Sequence, residues 1–186
     1  MEKLGSVDVL INNAGLGYEK SFIDQTEEEI LQVLNTNLIS QILLTKEFLP
    51  NMLEKGDGKI IYVTSLAGKI GFPELAPYSA SKFGVEGFAE TLREELKNTG
   101  VKICVVRPGV TDTPFFQPAG MTEYYHKVKK SGKIHPPESV AKAILKNINI
   151  MPDEIVVGSD RIYLRILPFI PYKWRFKLLD FINLFN

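Results

Sequence analysis

Tyr78 and Lys82 stand four residues apart in Tyr78-Ser-Ala-Ser-Lys82, and Ser65 precedes the tyrosine by thirteen residues. Positions i and i+4 of a helix share one face, so the lysine ammonium lies beside the phenol. The chemistry this arrangement offers is proton transfer. A free tyrosine titrates near pH ~10 and is a poor proton shuttle at neutral pH; a neighbouring cation favours the phenolate and draws that value toward the working range. The same spacing also occurs in plain surface pairs worth about 0.3 kcal/mol, and Ser65 is what separates the two readings. It follows the apolar run 60–63, whose composition reads as a buried strand. Its hydroxyl therefore emerges at a strand's carboxyl end, where open α/β sheets bind ligands.

The elements that must position these groups are legible as hydrophobic periodicity. Strands are expected at 7–11, 59–64, 101–106 and 154–157. A first helix opens at the capping box Thr26-x-x-Glu29 and presents Ile30, Val33, Leu34, Leu38, Ile42, Leu44, Phe48 and Leu49 as a buried stripe, ending where Pro50 and Gly56 fall. Further helices are expected over 76–98, stopped by Gly100, and over 138–148. Alternation of this kind gives right-handed crossovers and a parallel sheet.

With Asn12-Asn-Ala-Gly15, Asn37, Ser65, Tyr78-x-x-x-Lys82 and Pro108-Gly109 in that order, the chain resembles the short-chain dehydrogenase/reductases from about residue 4 to about residue 157. The resemblance implies an α/β fold, a Rossmann-like three-layer sandwich with a parallel sheet, and an NAD(P)-dependent oxidoreductase acting between a carbonyl and a secondary alcohol. It implies Asn37, Ser65, Tyr78 and Lys82 as the catalytic set. Tyr78 exchanges the proton, Ser65 hydrogen-bonds the reacting oxygen, Lys82 lowers the tyrosine pKa and binds the nicotinamide ribose, and Asn37 bends its helix and holds a water that connects the lysine to solvent. Asn12, Ala14, Gly15, Tyr78, Lys82, Pro108, Gly109, Val110, Thr111 and Thr113 are the residues it places on the cofactor. The choice between NAD and NADP stays open. Read without the family, Asn12-Asn-Ala-Gly15 is a turn and Pro108-Gly109 a strand end.

The opening departs from that family. No strand with a glycine-rich turn, the device that brings backbone amides to a pyrophosphate, precedes residue 7; Gly15-x-Gly17 lacks the third glycine. The expectation is an N-terminally truncated form that starts at the family's fourth strand, leaves 7–11 as an apolar sheet edge, and binds dinucleotide poorly as it stands. A non-catalytic binding module that kept the scaffold is the alternative.

At 186 residues and 45% hydrophobic, the chain reads as a Rossmann-like part over 1–158 with a substrate lid at about 113–136, and a tail over 159–186. Twenty-two basic residues balance twenty-two acidic ones, which argues against nucleic-acid partners. The single Cys104 excludes an internal disulfide and fits a reducing, cytoplasmic setting. His126 and His135 have no third ligand at metal spacing, so no metal is expected. Aromatic residues in the lid fit an apolar portion of a small carbonyl or alcohol substrate, or simply a lid packed on its own domain. From Asp160 onward the tail carries five basic residues against two acidic ones, with Trp174, Leu178, Phe181, Ile182 and Phe185 at helical spacing. That pattern reads equally as a peripheral membrane-surface helix and as a helix packed on the sheet or another subunit. By resemblance, a full-length chain is a homo-oligomer.

Overall fold

The computed structural model describes residues 6–116 and 134–158, with 169–171, 173–175 and 177 in the tail. Four parallel strands, β1 (Val9–Asn12), β2 (Gly58–Val63), β3 (Val101–Pro108) and β4 (Glu154–Val157), lie side by side in chain order. Alternation along each strand sends side chains to opposite faces. Ile60 and Tyr62 of β2 and Ile103 and Val105 of β3 pack with Met52, Val85, Ala89 and Leu92 from the helices on one side. Ile61, Val63, Cys104 and Val106 pack on the other side with Ile144 and Met151. Helix α2 (Ser40–Lys55) and helix α3 (Ala76–Leu96) cover the first face, and α4 (Pro137–Asn147) the second. The result is the expected three-layer parallel architecture, with Cys104 buried and free.

The first long helix is not continuous. Thr26 caps α1 (Glu27–Leu34) through a complete capping box, and a π-helical turn over Asn35–Ile39 then separates α1 from α2. Such a bulge adds a residue to the turn and re-aims the side chains within it. Of the two expected stops, Pro50 lies inside α2, where it removes one internal hydrogen bond, and Gly56 ends the helix in the left-handed conformation. The loop before β3 is tighter than its sequence shows. Gly100 has φ +81, and a β-carbon there would stand 2.1 Å from the Gly56 carbonyl oxygen, so the turns that start β2 and β3 can pass only at glycine.

Candidate active site

Ser65 follows β2 in extended conformation, and its oxygen accepts a hydrogen bond from the Ala67 amide at 3.2 Å as the short helical turn Leu66–Gly68 begins. Tyr78 occupies the first turn of α3, with Pro77 beside it supplying a φ suited to a helix start. The two side chains line the same cavity, with the Ser65 hydroxyl near enough to favour the charged form of the Tyr78 phenol. The Tyr78 ring is clamped by Phe115, whose ring centroid is 5.7 Å away, and by Gly17, where a β-carbon would lie 3.0 Å from the ring. The strand end and the helix start thus bring Ser65 and Tyr78 to the wall of one cavity.

Lys82 lies one turn along α3, 3% exposed. Its Nζ donates to the Val63 carbonyl at 3.2 Å and stands 5.7 Å from the Tyr78 ring centroid. The expectation that Lys82 lowers the phenol toward neutral pH needs correction. Burial pushes Tyr78 above its ordinary 10.0, outweighing the Ser65 bond that favours the charged form. The same burial draws Lys82 down from 10.5 to about 8, with Glu86 opposing it. Desolvation by burial acts on both groups against their charged forms.

Asn37 sits inside the π-helical turn with no exposed surface. Its amide accepts from the Leu16 N–H at 2.8 Å, donates to the Leu16 carbonyl at 2.7 Å and donates to the Ser81 hydroxyl at 3.1 Å. One side chain thus fastens the segment after β1 to α3. Gly15 is held close by, so that a β-carbon on it would be 3.4 Å from both Asn37 Oδ1 and Lys82 Nζ.

A cavity of about 800 Å³ opens in front of these groups. Ser65, Tyr78 and Lys82 line it, as do Ala14, Gly15, Pro108, Gly109, Val110, Thr111 and Thr113 from the expected cofactor set. Asn12 does not. Strand alternation turns its side chain inward, where Nδ2 meets Thr45 Oγ1 at 3.4 Å beneath Tyr62, and Asn13 faces the cavity in its place. Thr111 donates its hydroxyl to the Gly109 carbonyl at 3.0 Å, and its main chain bridges to His135. Residues 117–133 of the expected lid, with Tyr124, Tyr125 and His126, lie outside the described residues. So does most of the tail, in which Trp174 is half exposed between Lys173 and Lys177. Among the described residues no cluster of metal-ligating side chains occurs and no helix is long and apolar enough to cross a membrane.

Sequence reasoning weighed Gly17 only as part of an incomplete glycine-rich turn and Phe115 only as an aromatic of the expected lid, and it passed over an ion pair between Glu86 and Arg107 behind the site. The pair left one signal: Glu86 recurs four residues after Lys82, on the face that already carries the lysine.

The family model for short chain dehydrogenases matches residues 1–123. A ketoacyl reductase, HetN, of a Nostoc species is 39% identical over 160 residues, covering 86% of this chain and 54% of that protein. The 3-ketodihydrosphingosine reductase of Dictyostelium discoideum is 39% identical over 148 residues, 77% of this chain and 44% of its own length. The chain thus spans about half the length of the curated relatives it matches. Among solved structures, a short-chain dehydrogenase from Streptomyces avermitilis superposes with a TM-score of 0.78 at 24% identity, over 98% of this chain and 72% of that one. A gluconate 5-dehydrogenase from Burkholderia cenocepacia, in complex with NADP and tartrate, gives 0.74 at 19%, over 86% and 66%. With the parallel fold, Ser65 and Tyr78 on one cavity wall and the family match across residues 1–123, about two thirds of its length, this chain belongs to the short-chain dehydrogenase family.

Proposed function

We propose that the protein is an NAD(P)-dependent oxidoreductase that interconverts a ketone and a secondary alcohol, with Tyr78 as proton donor and acceptor. The observation that carries this reading is the presence of Ser65, Tyr78 and Lys82 together in the lining of the 800 Å³ cavity. In the reducing direction, both hydroxyls bond the substrate oxygen as it gains charge, and Tyr78 passes it a proton. Lys82, one helical turn away, offsets the negative charge left on the phenol. Ser65 is kept in register by the Ala67 amide, and the Phe115 ring and Gly17 fix the plane of Tyr78.

The residues present fit the nicotinamide end of a dinucleotide: Gly15 lacks the β-carbon that would press on Lys82 Nζ at 3.4 Å, and Thr111 and Thr113 offer hydroxyls to the same cavity. Lys82, Ala14, Gly15, Gly109, Val110, Thr111 and Thr113 would hold it there. When bound, the nicotinamide supplies or takes the hydride.

For the substrate, Phe72, Leu75, Val110, Phe115, Val140 and Ile144 give the cavity an apolar wall. Two relatives are named for keto groups on acyl or sphingoid chains, and this wall supports a keto group carried on a long apolar chain here. The test is NADH and NADPH oxidation by the protein as its cell makes it, with a 3-ketoacyl thioester and a small polar ketone in parallel. Faster turnover of the thioester is expected. Equal turnover of both would overturn the substrate class, and none with any ketone would overturn the activity. The tail belongs to the same proposal as a membrane-surface contact, supported by half-exposed Trp174 flanked by two lysines; vesicle flotation that is unchanged on removing residues 160–186 would exclude it.

A further inference from the structure

Glu86 lies one turn beyond Lys82 on α3, only 5% exposed, and the proton chemistry leaves it unused. Its carboxylate is gripped from several elements at once. Arg107 of β3 donates to it twice, Nε to Oε1 at 2.7 Å and Nη2 to Oε2 at 2.6 Å. Thr64, the residue before Ser65, donates its hydroxyl to Oε1 at 2.8 Å. Lys69, from the loop after Ser65, places Nζ 3.3 Å from Oε2. Arg107 in turn reaches Glu154 of β4 through Nη1 at 2.5 Å, and it immediately precedes Pro108-Gly109.

A buried ion pair is weak evidence for stability, since desolvation offsets much of its attraction. Its geometry is informative instead. A two-pronged guanidinium–carboxylate contact fixes orientation as well as distance. Here it locks the strand end that carries Ser65 and the strand end that leads to the cavity loop onto the helix that carries Tyr78 and Lys82. The groups facing Lys82 are Tyr78 and Glu86 on its own helix, the Val63 carbonyl of β2, and Asn37 and Gly15 across the cleft. Glu86 is the negative charge among them. Facing Glu86 are Arg107 and Lys69, with Glu154 behind Arg107.

We propose that Glu86 is a positioning residue of this site, tying the ends of β2 and β3 to the helix turn that presents Tyr78 and Lys82 and standing as counter-charge behind the Lys82 ammonium. The inference rests on the dehydrogenase reading only for the use made of Lys82. Removing the carboxylate's charge makes Lys82 give up its proton at lower pH.

The test follows the Lys82 side chain directly, by NMR of the full chain carrying lysine labelled with carbon-13 at Cε, titrated from pH 6 to 11. The Lys82 signal is assigned by its loss in Lys82→Met. In Glu86→Gln its midpoint should fall by about 0.5 pH unit or more, and Glu86→Asp should recover part of the fall. Where Glu86→Gln alone does not fold, Glu86→Gln combined with Arg107→Met removes both buried charges and should lower the midpoint by less, since loss of the more distant guanidinium acts in the opposite direction. A midpoint equal to that of the unsubstituted protein in the folded variant overturns the inference. No turnover enters this measurement, so an unmoved midpoint counts against Glu86 alone, whereas failure to reduce any ketone counts against the proposed function alone.

Discussion

Replacing Lys82 by methionine should change how stability depends on pH, and the size of the change follows from the burial of its ammonium. The amine is drawn from 10.5 in the free side chain to about 8 in the folded protein. Between those values the unfolded chain binds more protons than the folded one, so stability rises with pH across the window from about 8 to 10.5. Below it the protein carries the full penalty for a buried charge. A gap of about 2.5 pH units at about 1.4 kcal/mol each makes that penalty about 3 kcal/mol at pH 7. Methionine has a similar stem and no charge to desolvate. Urea unfolding of both proteins by far-ultraviolet circular dichroism, from pH 7 to 10.5, should show the original protein gaining about 3 kcal/mol relative to Lys82→Met over that range. Burial pushes Cys104 up to about 11, Tyr62 to about 12 and Tyr78 upward. These three cost stability as pH climbs, with opposite sign to the lysine, and they cancel to first order in the comparison. Parallel stability curves for the two proteins would refute the claim that Lys82 is held in a desolvating pocket.

Gly100→Ala should lose at least about 2 kcal/mol in the same unfolding assay, because a side chain there meets both an unfavourable φ and the Gly56 carbonyl; a loss under 0.5 kcal/mol, the size of an ordinary surface change, would contradict the packing of those two turns. Asn37→Asp keeps the acceptor for the Leu16 amide but sets a carboxylate against the Leu16 carbonyl, and should cost about 2 kcal/mol or more; an unchanged urea midpoint would show that the π-helical turn does not depend on this bond. The Cys104 thiol, buried and pushed up to about 11, should react with a disulfide reagent at pH 8 only as fast as the protein unfolds, and rapid labelling of native protein would place it elsewhere.

The sequence was most legible where one residue type answers one physical demand. Thr26 and Glu29 form the capping box their spacing announces. The apolar runs of β2 and β3 are buried on both faces, as strands between two helical layers must be. Ser65 and Tyr78 meet because a strand end and a helix start are each short-range features. What escaped were effects of tertiary context. The π-helical turn at Asn35–Ile39 has no periodic signature, since it is one inserted residue whose stability comes from Leu16 and Ser81, far away in the chain. Pro50 is a stop in isolation, yet α2 runs past it to Gly56. The inward turn of Asn12 depends on which face of β1 the helices cover. The direction of the Tyr78 shift was missed for a related reason: four-residue spacing reports the cation but not the loss of solvent around the phenol.

The convergence of Ser65 and Tyr78 on one reacting oxygen is tested most directly by a double-mutant cycle on ketone turnover in the protein as its cell makes it. Ser65→Ala and Tyr78→Phe should each lower kcat/KM by about 1000-fold or more, and the pair together by no more than about tenfold beyond the worse single change. Groups that act on the same atom cannot be removed twice. Losses that multiply, or a Tyr78→Phe protein that keeps its turnover, would show that the two hydroxyls do not serve a single oxygen.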